Sequence, residues 1–293
     1  MDIRRDVQAR CINPDCREPV GYWEVNCRWC NQPLGFPNRR AAESERDELA
    51  KRYALARNDA TQRNIEPLLN KLEILAEQSR PVINMPFAVG GNILRSDKYR
   101  NYYQRIDSGE RAPATARNHA DRVKVGESLF PMYEEHIQYA ALSPDGRGLV
   151  SYGPVAVRWE VVPSYLDRRI SLLQEDSFIF YDQFKLGDRG ATVPPGYRAI
   201  WDDRAKLVAA KFASRLTAAT AEGSLAGLLM HAGATKKDDD YVEIFIYDDV
   251  GLETRDVDLV TIQRAPMTPE EGHWRDLVRD ACAARPRAIR VVE

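Results

Sequence analysis

Tyr241-Val242-Glu243-Ile244-Phe245-Ile246-Tyr247 is the stretch on which the fold turns. Its β-branched and aromatic residues favour a pleated strand over a helix. Side chains alternate across a strand, so Val242, Ile244 and Ile246 share one face and Tyr241, Glu243, Phe245 and Tyr247 share the other. The first set predicts a core face. The second surrounds a carboxylate with aromatic rings, which suits a cleft where a planar ring stacks and an acid hydrogen-bonds a sugar hydroxyl or stabilises a cation. The plainer alternative is a surface glutamate on a solvated face, where three bulky aromatics would be unusual.

Working outward, residues 257–262 read as the neighbouring strand. Residues 137–142 and 149–162 read as strand, turn, strand about Ser143-Pro144-Asp145-Gly146, and 170–173 and 178–181 add strand material. Residues 201–216 have helical periodicity through Trp201, Ala205, Val208, Phe212 and Leu216, and 225–231 form a shorter helix. Thr268-Pro269-Glu270-Glu271 is a capping box that opens a helix to about Ala284, and 288–292 close as a strand. Pro81, Pro86, Gly90 and Gly91 predict an irregular segment. Tyr99, Tyr102, Tyr103 and Ile106 then mark a helix packing its aromatic face, with base stacking beside Lys98, Arg100 and Arg105 as the alternative. A polar loop with Gly109 and Pro113 follows. Strands interleaved irregularly with helices place residues 81–293 in the α+β class.

Of the five cysteines, four lie within the first thirty residues: Cys11, Cys16, Cys27 and Cys30. Two close pairs separated by a short arm are what a tetrahedral all-thiolate zinc site needs, because each pair aims two sulfurs at one ion. Pro14 and Asp15 supply turn chemistry in the first knuckle. Residues 1–37 hold too few large apolar side chains for a core, so metal would supply the missing folding free energy, on the order of 10 kcal/mol. Four thiolates leave no open coordination position, which predicts a structural zinc in a zinc ribbon; two disulfides are the alternative. Residues 1–40 carry seven arginines against five acids, and zinc held by four thiolates cancels that surplus. The ribbon is therefore expected to recognise a protein or nucleic-acid target, with protein slightly favoured.

Residues 38–80 are rich in charged helix formers, with a thin stripe at Leu49, Tyr53, Ala56 and Ala60 and a wider one at Ile65, Leu68, Leu69, Leu72 and Leu75. They read as a helical connector whose wider face packs on the main domain or forms a homodimer seam. The composition, 44% apolar and 29% charged with net charge −2, is that of an ordinary globular chain without an overall bias towards polyanions. No apolar run approaches the roughly 18 residues that span a bilayer, and the opening residues carry none after their charges, so the expectation is cytoplasmic with no membrane partner. No phosphate-cradling or dinucleotide-binding glycine motif is present. His119, His136, His231 and His273 lack metal-ligand spacing among themselves. Cys282 reads as a small buried hydrophobe and Asp238-Asp239-Asp240 as a solvated turn.

The succession Ser151-Tyr152-Gly153-Pro154-Val155, then Arg168-Arg169-Ile170-Ser171 running to Asp176-Ser177, then Tyr241-Val242-Glu243-Ile244 resembles ADP-ribosyltransferase domains of the bacterial toxin type over about residues 130–265. The resemblance implies a mainly antiparallel split sheet, NAD as substrate, and Glu243 as the catalytic glutamate of a late strand. It implies an early arginine or histidine that binds NAD, for which His136, Arg158 and Arg169 compete. It also implies a serine or tyrosine that supports the nicotinamide pocket, for which Tyr152, Ser171 and Ser177 are candidates. Tyr241 stands where the family commonly places a second acid or glutamine, which argues against an arginine acceptor. The helices at 201–231 are an insertion. The implied function is NAD-dependent ADP-ribosylation of a cytoplasmic macromolecule by a toxin or phage-defence effector, delivered by its ribbon. The alternative is a non-enzymatic zinc-ribbon adaptor that binds protein or nucleic acid. A third possibility is a glycan- or nucleotide-processing enzyme that pairs Glu243 with Asp176.

Overall fold

In the computed structural model, residues 8–96, 98–112, 115–161, 165–249, 251–285 and 290–292 are described. Arg4, Arg5, Asp2 and Asp6 of the ribbon's charge count, and Ala288 of the final strand, lie outside them. The ribbon begins with a hairpin of β1 (Gln8–Arg10) and β2 (Pro19–Gly21). Three helices follow, α1 (Pro37–Ser44), α2 (Arg46–Gln62) and α3 (Glu66–Gln78), and then β3 (Arg80–Met85) and α4 (Phe87–Arg95). Next come β4 (Lys98–Tyr99), α5 (Tyr102–Asp107), α6 (Ala116–Leu129), β5 (Ile137–Ser143), β6 (Val155–Trp159), β7 (Ile170–Leu173) and α7 (Ser177–Gln183). The chain ends with β8 (Arg198–Ile200), α8 (Arg204–Phe212), α9 (Leu225–Leu229), β9 (Glu243–Tyr247), β10 (Leu252–Glu253), β11 (Val257–Ile262), α10 (Pro269–Ala283) and β12 (Arg290–Val292).

The fold is mixed α+β, built on an eight-stranded sheet ordered β12-β11-β6-β3-β5-β9-β7-β8. Its pairs are antiparallel except β11 with β12. Strand β9 is covered on both faces, which removes the solvated-face alternative. Val242, Ile244 and Ile246 join the larger core with α2, α3, α4, α8 and α10, whereas Phe245 and Tyr247 join a second core with α6, α7 and the ribbon's Tyr22, Trp23 and Phe36. Strands β3 and β5 pair only over Arg80–Val82 with Ser143–Ala141. Beyond that, β3 continues on β6 and β5 on β9, so the sheet opens between them.

Several elements differ from the sequence expectation. Residues 257–262 are not the neighbour of the 241–247 strand; β11 pairs with β6 and β12 at the far side of the sheet, and β9 lies between β5 and β7. Residues 178–181 form helix α7 instead of a strand because Asp176 caps it, its Oδ1 accepting from the N–H groups of Phe178 and Ile179 at 2.8 and 3.2 Å. Such a cap satisfies donors that a helix start otherwise leaves unpaired, and here it outweighs a β-prone sequence. The segment 81–91 is not irregular. Pro81 sits in β3 where only β5 pairs with it, and Gly91 lets α4 approach α10, since a Cβ there would lie 2.9 Å from Trp274. The polar stretch after Gly109 contains α6, which buries Val125 and Leu129. Residues 149–162 break at Gly153 into a 3-10 turn, Val150–Tyr152, and strand β6.

The connector is a structural part of the main body. Leu49, Ala60, Ile65, Leu69 and Leu72 share a core with Leu207, Val208 and Phe212 of α8. Buried Glu45 accepts from Arg198 Nε at 2.8 Å and from the Gly196 N–H at 3.1 Å. Among the described residues, no helix is long and apolar enough to cross a membrane. Leu72→Ala is expected to destabilise the chain by about 2–5 kcal/mol, the range for a buried leucine truncation. Denaturant titration followed by tryptophan fluorescence checks this, and a cost under about 0.5 kcal/mol would mean that α3 packs on nothing essential.

Candidate functional site

Where β3 and β5 part, a cleft opens between Ile83 and Asn84 on one side and Gln138 and Tyr139 on the other, enclosing about 1130 Å³ of space, its open mouth included. Its floor is acidic. Glu243, the first residue of β9, is 5% exposed, and Asp176, the cap of α7, is 8% exposed. Capping uses Oδ1 of Asp176 and leaves Oδ2 to accept from the Tyr241 hydroxyl at 2.8 Å and the Tyr152 hydroxyl at 3.2 Å. Tyr241 also lies 3.4 Å from Glu243 Oε1, and the Ser177 N–H donates to Glu243 Oε2 at 2.8 Å. The two carboxyls therefore meet on one phenol, although 67 residues separate them in the chain.

Burial, and after it the charge of Asp176, pushes the Glu243 carboxyl well above the usual carboxylate range; the Ser177 and Tyr241 hydrogen bonds oppose the shift. Burial likewise raises the Tyr241 and Tyr152 phenols, keeping both as donors. Tyr152 reaches the floor because Gly153 takes φ +149 against β3, where a Cβ would lie 2.1 Å from the Met85 carbonyl carbon. Asn84 holds the same turn, accepting from the Leu149 N–H at 2.7 Å and donating to the Gly153 carbonyl at 3.2 Å. A pair of carboxyls, one of them held protonated more readily by burial as Glu243 is, can act as acid or stabilise a cation at the bottom of an aromatic cleft.

Of the residues singled out from the sequence, the cleft brings together Glu243, Tyr152 and Ser177. The other four stand elsewhere. Arg158 forms a bidentate pair with Asp258 at 2.8 and 2.6 Å, across from β11. Arg169 lies over the rings of Phe36 and Tyr165, with Asp249 3.7 Å away. Ser171 Oγ accepts from Asn38 Nδ2 at 3.1 Å, and the His136 ring stacks near Tyr247. Asp176 does meet Glu243, which chain separation alone does not reveal.

Sequence reasoning missed the opposite wall. Tyr99, Tyr102 and Tyr103 do not pack away in one helix; with Arg100, Arg105, Arg111 and Arg122 they line the cleft from β4, α5, α6 and the turns between them. A capping box between Asn101 and Gln104 starts α5, and Asn101 Nδ2 ties it to the Glu135 carbonyl at 2.6 Å. The alternation of tyrosine and arginine from Tyr99 to Arg105 was the available signal. The aspartate run is a solvated turn only in part: Asp238 is exposed in a turn with Lys236 and Lys237, whereas Asp239 is buried, accepting from Ser151 Oγ at 2.6 Å. Cys282 is buried as expected, and burial pushes its thiol up to about 11.

The metal centre is separate from the cleft. The sulfurs of Cys11, Cys16, Cys27 and Cys30 all lie within 4.8 Å of one another. The Cys11–Cys30 and Cys16–Cys27 separations are 3.6 and 3.9 Å, and sulfurs about 2.3 Å from a tetrahedral zinc stand about 3.8 Å apart. The donor set and spacing thus fit a closed four-thiolate zinc site. Burial pushes the Cys11 thiol up to about 12, so a cation is needed to hold its thiolate, while the Gln32 backbone holds Cys30 down to about 7. Tyr22, in the arm between the pairs, donates to the Pro131 carbonyl at 2.8 Å and fastens the ribbon beside the second core.

No protein-family model matches the chain, and no curated protein matches it, so neither supports the ADP-ribosyltransferase resemblance. For the metal centre, the expected stoichiometry is one zinc per chain by elemental analysis. Cys27→Ser is expected to lose the ion and open residues 8–35 to limited proteolysis. Full zinc content in that variant would count against the four-thiolate site.

Proposed function

We propose that the protein is an enzyme of the ADP-ribosyltransferase type, which cleaves NAD at the floor of the cleft and transfers ADP-ribose to a macromolecule in the cytoplasm. The observation that carries this reading is the meeting of Tyr152, Asp176, Ser177 and Glu243, from three separate stretches of chain, around one buried acid pair. These are the stretches whose order resembles that family. The opening of the sheet between β3 and β5, with the acids at its base, also supports it.

In the reaction, the bond from ribose C1′ to nicotinamide breaks and its electron pair leaves with nicotinamide. The ribosyl cation that develops lies over the acid pair. One member, held neutral by burial, hydrogen-bonds the 2′-hydroxyl, while the charged member stabilises the cation through space. An acceptor nucleophile then bonds C1′ and releases its proton to the charged carboxyl. Ser177 fixes Glu243 from below through its N–H, and Tyr241 keeps the two acids in register. The ribbon supplies target recognition, with exposed Ile12 and Trp29 at its knuckles as contact residues.

Glu243→Gln is expected to lower nicotinamide release from labelled NAD by at least about a hundredfold, measured with the purified protein and a cell lysate as acceptor source. Retention of full turnover would sink the assignment. The same variant tests the buried acid independently. The Glu243 carboxyl is raised in the fold, so its contribution to stability is full below its unfolded value and is lost as pH rises through the folded one. The melting temperature of Glu243→Gln should therefore gain on the wild type between pH 4 and pH 8. Parallel melting curves across that range would show that the carboxyl is not perturbed by folding.

A further inference from the structure

Besides its acids, the cleft carries cations on its wall and at its edge. Arg111 and Arg122 bracket the Tyr102 ring at 5.0 and 4.7 Å from its centre, and Arg122 also reaches Tyr139 at 5.9 Å. Lys236 arrives from a different segment, its Nζ 4.2 Å from the centre of the Tyr152 ring. That segment is anchored: Asp239 accepts from Ser151 Oγ and from the Gly233 N–H at 2.8 Å, and Asp240 pairs with buried Lys211 at 2.6 Å. The cleft's other two arginines, Arg100 and Arg105, are engaged by Glu110. None of Arg111, Arg122 and Lys236 has an ion-pair partner among the described residues.

The three cations sense one another. Burial first, and then the charges of Arg122 and Arg111, hold the Lys236 ammonium below the usual lysine range, with Asp239 and Asp176 opposing. Arg122 is half-buried while Arg111 and Lys236 are exposed, and like charges brought together there cost free energy that an anion between them offsets. A carboxylate ligand would leave two of the cations unmatched, whereas a diphosphate presents oxygens to both guanidinium forks and to the ammonium at once.

We infer that Arg111, Arg122 and Lys236 form the phosphate-binding pole of the cleft and take the diphosphate of a nucleotide whose ribose lies towards Glu243. This assignment rests on the proposed reading of the cleft as a nucleotide site. It places the nucleotide's charge partners on Arg111, on α6 and in the 231–240 segment, since the NAD-binding candidates Arg158 and Arg169 are engaged elsewhere. Because Lys236 and the arginines come from different segments, the bound diphosphate would join the two sides of the mouth.

The test is calorimetric titration of the full zinc-loaded chain with ADP and with inorganic pyrophosphate. Both are expected to bind, with affinity falling as salt rises. Arg122→Ala and Lys236→Ala should each weaken ADP binding by roughly tenfold or more, with unchanged melting temperatures showing that both variants fold. Absence of ADP and pyrophosphate binding to the wild type, or unaltered ADP affinity in both folded cation variants, would overturn the assignment. ADP binding that depends on the cations in a protein that releases no nicotinamide from NAD would leave this site standing and remove the proposed reaction. Nicotinamide release with its KM unchanged in the cation variants would do the reverse.

Discussion

The Tyr241 hydroxyl stands between two buried carboxyls, and much of the molecule is arranged around satisfying them. A carboxyl withdrawn from water is costly unless every oxygen finds a donor. The donors come from three places: the Tyr241 phenol beside β9, the first turn of α7 with its Ser177 N–H, and the 3-10 turn that carries Tyr152. Each donor fixes the approach of a different element, so the acid pair sets how α7 and the 149–153 segment meet β9. Apolar packing alone is non-directional and would not impose that geometry.

The same logic extends to the parts that look peripheral. Glu45 at the α1–α2 junction is buried against Arg198, and Asn38 lies within hydrogen-bond reach of the Arg169 and Phe245 carbonyls, so the connector is keyed to β7, β8 and β9. The ribbon is fastened by Tyr22 to the Pro131 carbonyl and by Arg40, which donates to the Glu24 carbonyl at 2.9 Å. Phe36 and Tyr247 then stack with ring centres 5.1 Å apart. The metal centre is thus mechanically continuous with the back of the strand whose first residue is Glu243.

What was legible in the sequence follows period and spacing. Alternation at 241–247 identifies a strand and separates its faces, because period two is a property of the extended chain itself. Two cysteine pairs point to a cluster able to hold a metal ion because a knuckle is local. The failures are equally physical. Phe178, Ile179, Phe180 and Tyr181 are β-prone, yet one side-chain cap three-dimensionally tied to Tyr241 makes them a helix. Residues 257–262 have the look of a strand and carry no mark of their partner, since pairing across a sheet is set by the path of the intervening chain. Arg158 and Arg169 resemble ligand-binding arginines until Asp258, Phe36 and Tyr165 are seen to occupy them.

By itself, the sequence determined the α+β class, the four-thiolate cluster and the aromatic setting of Glu243, all of which depend on residues close together in the chain. Only the tertiary structure decided that Asp176 shares a phenol with Glu243, that the sheet opens between β3 and β5, and that Arg111 and Arg122 line the cleft while Lys236 stands over the Tyr152 ring. The reason is distance along the chain: these groups are brought together by strand order and helix capping, and neither leaves a periodic trace in the residues that it unites.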